Sequence, residues 1–131
     1  MIELNTTTDL ETLLKEEKYP LVSAHRGGSA KGFPENCLET FERAVSFGAA
    51  IIESDMAVIK ALLLVLMHDD KLDRTTTGTG FVSDYTYSEL QEFYLKDYQK
   101  TKTSYKIPTL DEALQWAKGK VVYTSDVKRG V

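Results

Sequence analysis

What this sequence lacks narrows it early. A single cysteine, Cys37, in 131 residues excludes an internal disulfide framework. Set in a helical apolar pattern, Cys37 reads as a small buried hydrophobe. There is no basic surplus: the net charge is -4, the wrong sign for a general nucleic-acid binder. Nor is there a long apolar run. The longest, residues 57–67, is broken by Lys60 and falls short of the roughly 20 residues that cross a bilayer. The opening MIELNTTTDLETLL has no basic start followed by an apolar core, so no secretory signal is visible. The expectation is a soluble protein, either cytoplasmic, or periplasmic or secreted with its leader removed. No internal repeat is present.

What is there suits one globular domain, with 42% hydrophobic and 27% charged residues. Residues 1–20 hold leucines at 10, 13 and 14 before Pro20, which predicts a short amphipathic helical extension. Residues 21–24 form an apolar run between Pro20 and Gly27-Gly28, a buried strand that delivers His25 and Arg26 to a loop. Asn36 then reads as a helix cap. Cys37 to Phe47 carries apolar residues in helical rhythm and is stopped by Gly48. Residues 49–58 and 62–67 read as extended. Strand, helix and strand in about 30 residues is a parallel βαβ unit.

Beyond that unit, residues 83–95 predict a helix capped by Thr86 or Ser88. KDYQKTKTSYK, over 96–106, reads as a solvated loop. Thr109 and Glu112 predict a capping box opening a helix to about Lys118, before Gly119. Residues 121–124 read as a strand carrying Asp126 and Lys128 at its end. This order argues α/β. Its charged groups gather at the carboxyl ends of strands, where α/β sheets and barrels place their sites.

Glu53 and Asp55 are two residues apart on an apolar strand, so both side chains point to one face. A buried carboxylate needs a cationic partner. Hard oxygen donors at this spacing suit Mg2+ or Ca2+ better than zinc, and Asp126 supplies a third from a neighbouring strand. His25 and His68, the only histidines, suit general acid and base roles near neutral pH. Arg26 stands beside the first, and Asp69 beside the second can orient it. Arg26 and Lys128 would meet an anion. The residues alone point to a metal-dependent hydrolase of an anionic substrate.

The ordered set HRG (25–27), PEN (34–36), E-x-D (53–55), MHDDKLDRTTTGTG (67–80), IPTLDEAL (107–114) and D-x-K (126–128) resembles the glycerophosphodiester phosphodiesterase family from about residue 21 onward. The resemblance implies a TIM-type (β/α) barrel, of which residues 21–131 are the N-terminal part. It also implies hydrolysis of glycerophosphodiesters to an alcohol and glycerol 3-phosphate, in lipid and glycerol metabolism. By its pattern Glu53, Asp55 and Asp126 bind the divalent metal, and His25 and His68 are the acid/base pair. Arg26 and Lys128 contact phosphate, with Glu35 in support.

The sequence departs from that pattern at three points. The turn between the E-x-D and HD strands, Asp-Gly in the family, reads Ile59-Lys60-Ala61-Leu62. Polar Thr124-Ser125 precedes Asp126, which stands where Glu is commoner. A whole barrel takes about 250 residues. With about three of eight strands present, open edges predict either a portion of a longer enzyme or copies associating as a homo-oligomer to cover them. The alternative from another class is a non-catalytic fragment that binds phosphate or metal or serves assembly. A related enzyme acting on lysophospholipids would share the metal site.

Overall fold

Every strand of the sheet is registered on β2 (Ile51–Val58). A computed structural model describes residues 22–127. The extension expected over residues 1–20, and Lys128, lie outside the described residues. β1 (Ser23–Ala24) pairs parallel with the start of β2, and β4 (Val122–Val127) runs parallel along six of its residues. β3 (Leu64–Leu66) pairs antiparallel with its last three. Ile51 and Ile52 pair with both β1 and β4, and Met56 with both β3 and β4. Hence β1 and β3 share one edge of β2, and β4 has the other.

α1 (Leu38–Ser46) follows β1, and α3 (Leu110–Ala117) precedes β4. Each parallel pair is thus joined through a helix, as the βαβ rhythm required. Both helices cover one face of the sheet. There Phe41 and Ile52, fully buried, meet Ala44, Ala113 and Ala117, and Phe41 packs against Trp116 at 5.7 Å between ring centres. Complete burial of two such side chains contributes roughly 2–3 kcal/mol each. Strand alternation sends Ile52 and Ser54 to this covered face and Glu53 and Asp55 to the other. A second core, including Leu72, Leu90, Leu95 and Ile107, lies under the long excursion between β3 and α3.

Several expectations need correction. Asn36 does not cap α1: the cap position is Cys37, with no side-chain cap bond, and the Asn36 side chain is used elsewhere. The helix expected over residues 83–95 shrinks to a single turn, α2 (Tyr87–Leu90), opened by a Thr86–Glu89 capping box. Leu95 instead exchanges backbone hydrogen bonds with Thr103 and Tyr105, which ends any helix before it. The lysine-rich stretch is more tied down than a solvated loop. Buried Asp97 accepts from the backbone N–H groups of Gly32, Gln99 and Thr101, which together hold its carboxyl below the ordinary range, Gly32 most of all. Lys96 and Lys100 donate to the carbonyls of Asp73 and Arg74.

The turn lacking a turn former is nevertheless tight. Ile59 N–H donates to Leu63 C=O at 2.9 Å, and Ala61 and Leu62 both take the left-handed region, at φ 65° and 58°. The Thr109–Glu112 capping box forms as the sequence predicts, and Gly119 follows at φ 75°.

Candidate active site

The first half of the site is built where β1 ends. His25, Arg26 and Gly27 form one tight turn, and Arg26, Gly27 and Gly28 are all left-handed. Gly27 is required twice over: its φ is 87°, and a Cβ there would stand 2.2 Å from Cδ1 of Phe41. The turn sends the two side chains apart. His25 is exposed, with Nδ1 3.5 Å from a carboxylate oxygen of Glu53. Glu53 also accepts from the Ser23 hydroxyl at 3.1 Å.

The second half arrives by the hairpin. Because β3 runs back along β2, Met67 N–H reaches the carbonyl of Asp55 at 3.0 Å, and His68 emerges beside the carboxylate-bearing strand. Its Nδ1 lies 2.8 Å from Asp69 Oδ1. An ionised carboxylate only accepts, so Nδ1 carries the hydrogen and Nε2 is the free nitrogen. Asp69 is held ionised, well below the usual carboxylate range, chiefly by the hydrogen bonds from Arg74.

Buried Asp55 is gripped by Asn36. The Asn36 amide donates to Oδ2 at 3.1 Å, while its Oδ1 accepts the Asp55 backbone N–H at 3.0 Å. Asn36 itself is left-handed, at φ 53°, a conformation its short polar side chain tolerates. Asp126 on β4 is in register with Asp55, which places three acids, Glu53, Asp55 and Asp126, on two adjoining strands. Among the described residues, no three His, Cys, Asp or Glu side chains converge into a metal-sized cluster. In kind, the set is all hard oxygen, which fits a divalent cation of the Mg2+ or Ca2+ type.

Two arginines serve this site very differently. Arg74 donates to both oxygens of Glu35, at 2.9 and 3.0 Å, and to both of Asp69, at 2.8 and 3.0 Å. Arg26 has only long contacts: 3.4 Å from Nη1 to each Glu35 oxygen, and 3.7 Å from Nε to Asp55. Its buried Nε makes no hydrogen bond at all. Arg74 and Asn36 are the residues that reading the sequence missed as members of the site. Both lie inside motifs recognised there, but the partners that tie them across the site, Glu35 for Arg74 and Asp55 for Asn36, are 39 and 19 residues away.

A sheet with its charged groups at the carboxyl ends of parallel strands, and helices on the opposite face, is the architecture of part of a TIM-type β/α barrel. Residues 25–129 match the Glycerophosphoryl diester phosphodiesterase family, and the chain belongs to that family. A glycerophosphodiester phosphodiesterase of Caldanaerobacter subterraneus is 42% identical over 96 residues, covering 72% of this chain and 39% of that protein. Glycerophosphodiester phosphodiesterase 1 of Bos taurus is 39% identical over 105 residues, covering 78% of this chain and 31% of that one.

Among solved structures, a glycerophosphoryl diester phosphodiesterase from Parabacteroides distasonis superposes with a TM-score of 0.91 at 46% identity, over 99% of this chain and 46% of that one. A phosphodiesterase from Oleispira antarctica, in complex with the product sn-glycerol-3-phosphate, has a TM-score of 0.72 at 32% identity, over 83% of this chain and 44% of that one. The chain thus spans less than half the length of these relatives. Among the described residues, no helix is long and apolar enough to cross a membrane.

Proposed function

We propose that this chain carries the acid/base, phosphate and metal residues of an enzyme that hydrolyses glycerophosphodiesters to an alcohol and glycerol 3-phosphate. The observation that carries the reading is the pair of histidines, each with Nδ1 turned to a carboxylate and Nε2 left free. They emerge from two strands on one edge of a third strand, whose two acids share a face.

Glu53, Asp55 and Asp126 would hold a divalent cation, Mg2+ or Ca2+. When bound, the ion supplies charge neutralisation at the phosphate oxygens. Arg26, whose present contacts are all long, has donors to spare for those oxygens; Lys128, outside the described residues, is proposed for the same role. One histidine takes the proton of the glycerol 2-hydroxyl as its oxygen bonds to phosphorus. The bond from phosphorus to the alcohol oxygen breaks, and the other histidine, which enters the step protonated on both nitrogens, gives that oxygen its Nε2 proton. Water then opens the cyclic phosphate with the two roles exchanged, so each histidine ends as it began. Glu35 and Asp69 hold Arg26 and His68 in place.

The preferred test separates binding from chemistry. His25→Ala and His68→Ala abolish glycerophosphocholine hydrolysis and keep divalent-ion affinity, measured by calorimetry; Glu53→Ala loses both. Wild-type turnover in His68→Ala sinks the acid/base assignment. The alternative reading is a non-catalytic unit that binds phosphate or metal. Ion binding by the wild-type chain with no turnover supports it.

A further inference from the structure

We propose that Arg74 is the positioning residue that couples the two halves of the site, setting the tautomer of His68 and the aim of Arg26 through one guanidinium. This rests on the function proposed above. His25 and Arg26 come from the turn after β1, and His68 from the end of the β3 hairpin; β2 sets the register of both strands. Beyond the strand ends, Arg74 joins the two segments by side-chain contacts. It closes two forks at once, with four contacts of 2.8 to 3.0 Å to Glu35 and Asp69. Glu35 in turn faces Arg26, and Asp69 faces His68.

A planar guanidinium can span two carboxylates in this way, and an ammonium cannot. Without the fork, Glu35 and Asp69 would be two anions on facing loops with nothing to divide between them. Arg74 is itself secured. Its carbonyl accepts from Lys100 Nζ at 3.0 Å, and the carbonyl of Thr75 accepts the Lys96 N–H at 2.8 Å. Asp97, in the same lysine-rich stretch, grips Gly32 on the loop leading to Glu35. The polar segment over residues 96–101 therefore holds both loops that Arg74 joins.

The test uses Arg74→Lys, Arg74→Met and Arg74→Ala in the full chain. Arg74→Lys lowers kcat about 10–100-fold, part of what an acid/base histidine supplies, and leaves divalent-ion affinity within about twofold, the ion site being untouched. Guanidinium chloride at low millimolar concentration restores a share of kcat to Arg74→Ala and none to Arg74→Met, in which the space is filled. A residue that only supported the fold would give a lowered melting temperature and no such rescue. The second readout needs no turnover: nitrogen-15 NMR finds His68 as the Nδ1–H form in wild type and as a tautomer mixture in Arg74→Met. A wild-type kcat in Arg74→Lys, or an unchanged His68 tautomer in Arg74→Met, overturns the proposal. An inactive wild type whose His68 tautomer still depends on Arg74 refutes the proposed reaction and leaves the positioning role standing.

Discussion

Replacing Leu62 by glycine is expected to stabilise this protein, although it deletes a leucine. Leu62 sits at φ 58°, directly after Ala61 at φ 65°, and a side chain in that region costs about 1–2 kcal/mol per residue. The leucine recovers little of this, since it is 86% exposed. Glycine removes the strain and adds unfolded-state entropy, which costs about 0.5–1 kcal/mol. The balance is a gain of about 0.5–1 kcal/mol, or about 2–4 °C in melting temperature for a chain of this size. Leu63 is the internal control. Its φ of -82° and ψ of 141° are ordinary extended backbone, so Leu63→Gly brings the entropy cost with no strain to relieve and lowers the melting temperature. Circular dichroism melts of the two variants decide the matter. If Leu62→Gly loses as much stability as Leu63→Gly, the turn is not strained as described.

Three other outcomes follow from the same geometry. Gly27→Ala brings a methyl group against the buried Phe41 ring and a left-handed penalty; overpacking and backbone strain together cost about 2–5 kcal/mol, read as a lower urea midpoint. Cys37 is buried, and burial before all else pushes its thiol up to about 12. It is therefore expected to resist a thiol reagent at pH 8 until denaturant opens the fold, and rapid labelling of the native protein would contradict this. Asp69 has a depressed pKa in the fold, so its contribution is present above the unfolded value of about 4 and lost as pH falls below it. The melting-temperature gap between wild type and Asp69→Asn stays level from pH 7 to 5 and narrows below about 4; a gap that widens on acidification reverses the assignment.

The elements legible in the sequence were those with a local signal. The βαβ unit, the Thr109 capping box and the E-x-D face each rest on spacing within a few residues, and all three form. Local signals also misled. The stretch 83–95 read as one helix, yet helix stops after α2, and Phe93 packs edge-on to Tyr85 at 5.4 Å. Lysines over 96–106 looked like solvated charge because their acceptors are backbone carbonyls, which no side-chain pattern reveals. Asn36 and Arg74 escaped for a related reason. Their roles depend on strand register and loop approach across 19 and 39 residues, and only the fold brings those partners together.

The most direct test of the account is phosphorus-31 NMR of glycerophosphocholine incubated with the chain and Mg2+ or Ca2+. The account predicts a falling diester signal and a rising signal of glycerol 3-phosphate, both stopped by EDTA and both absent in His68→Ala. A diester signal that persists unchanged in the presence of a bound divalent ion would contradict it.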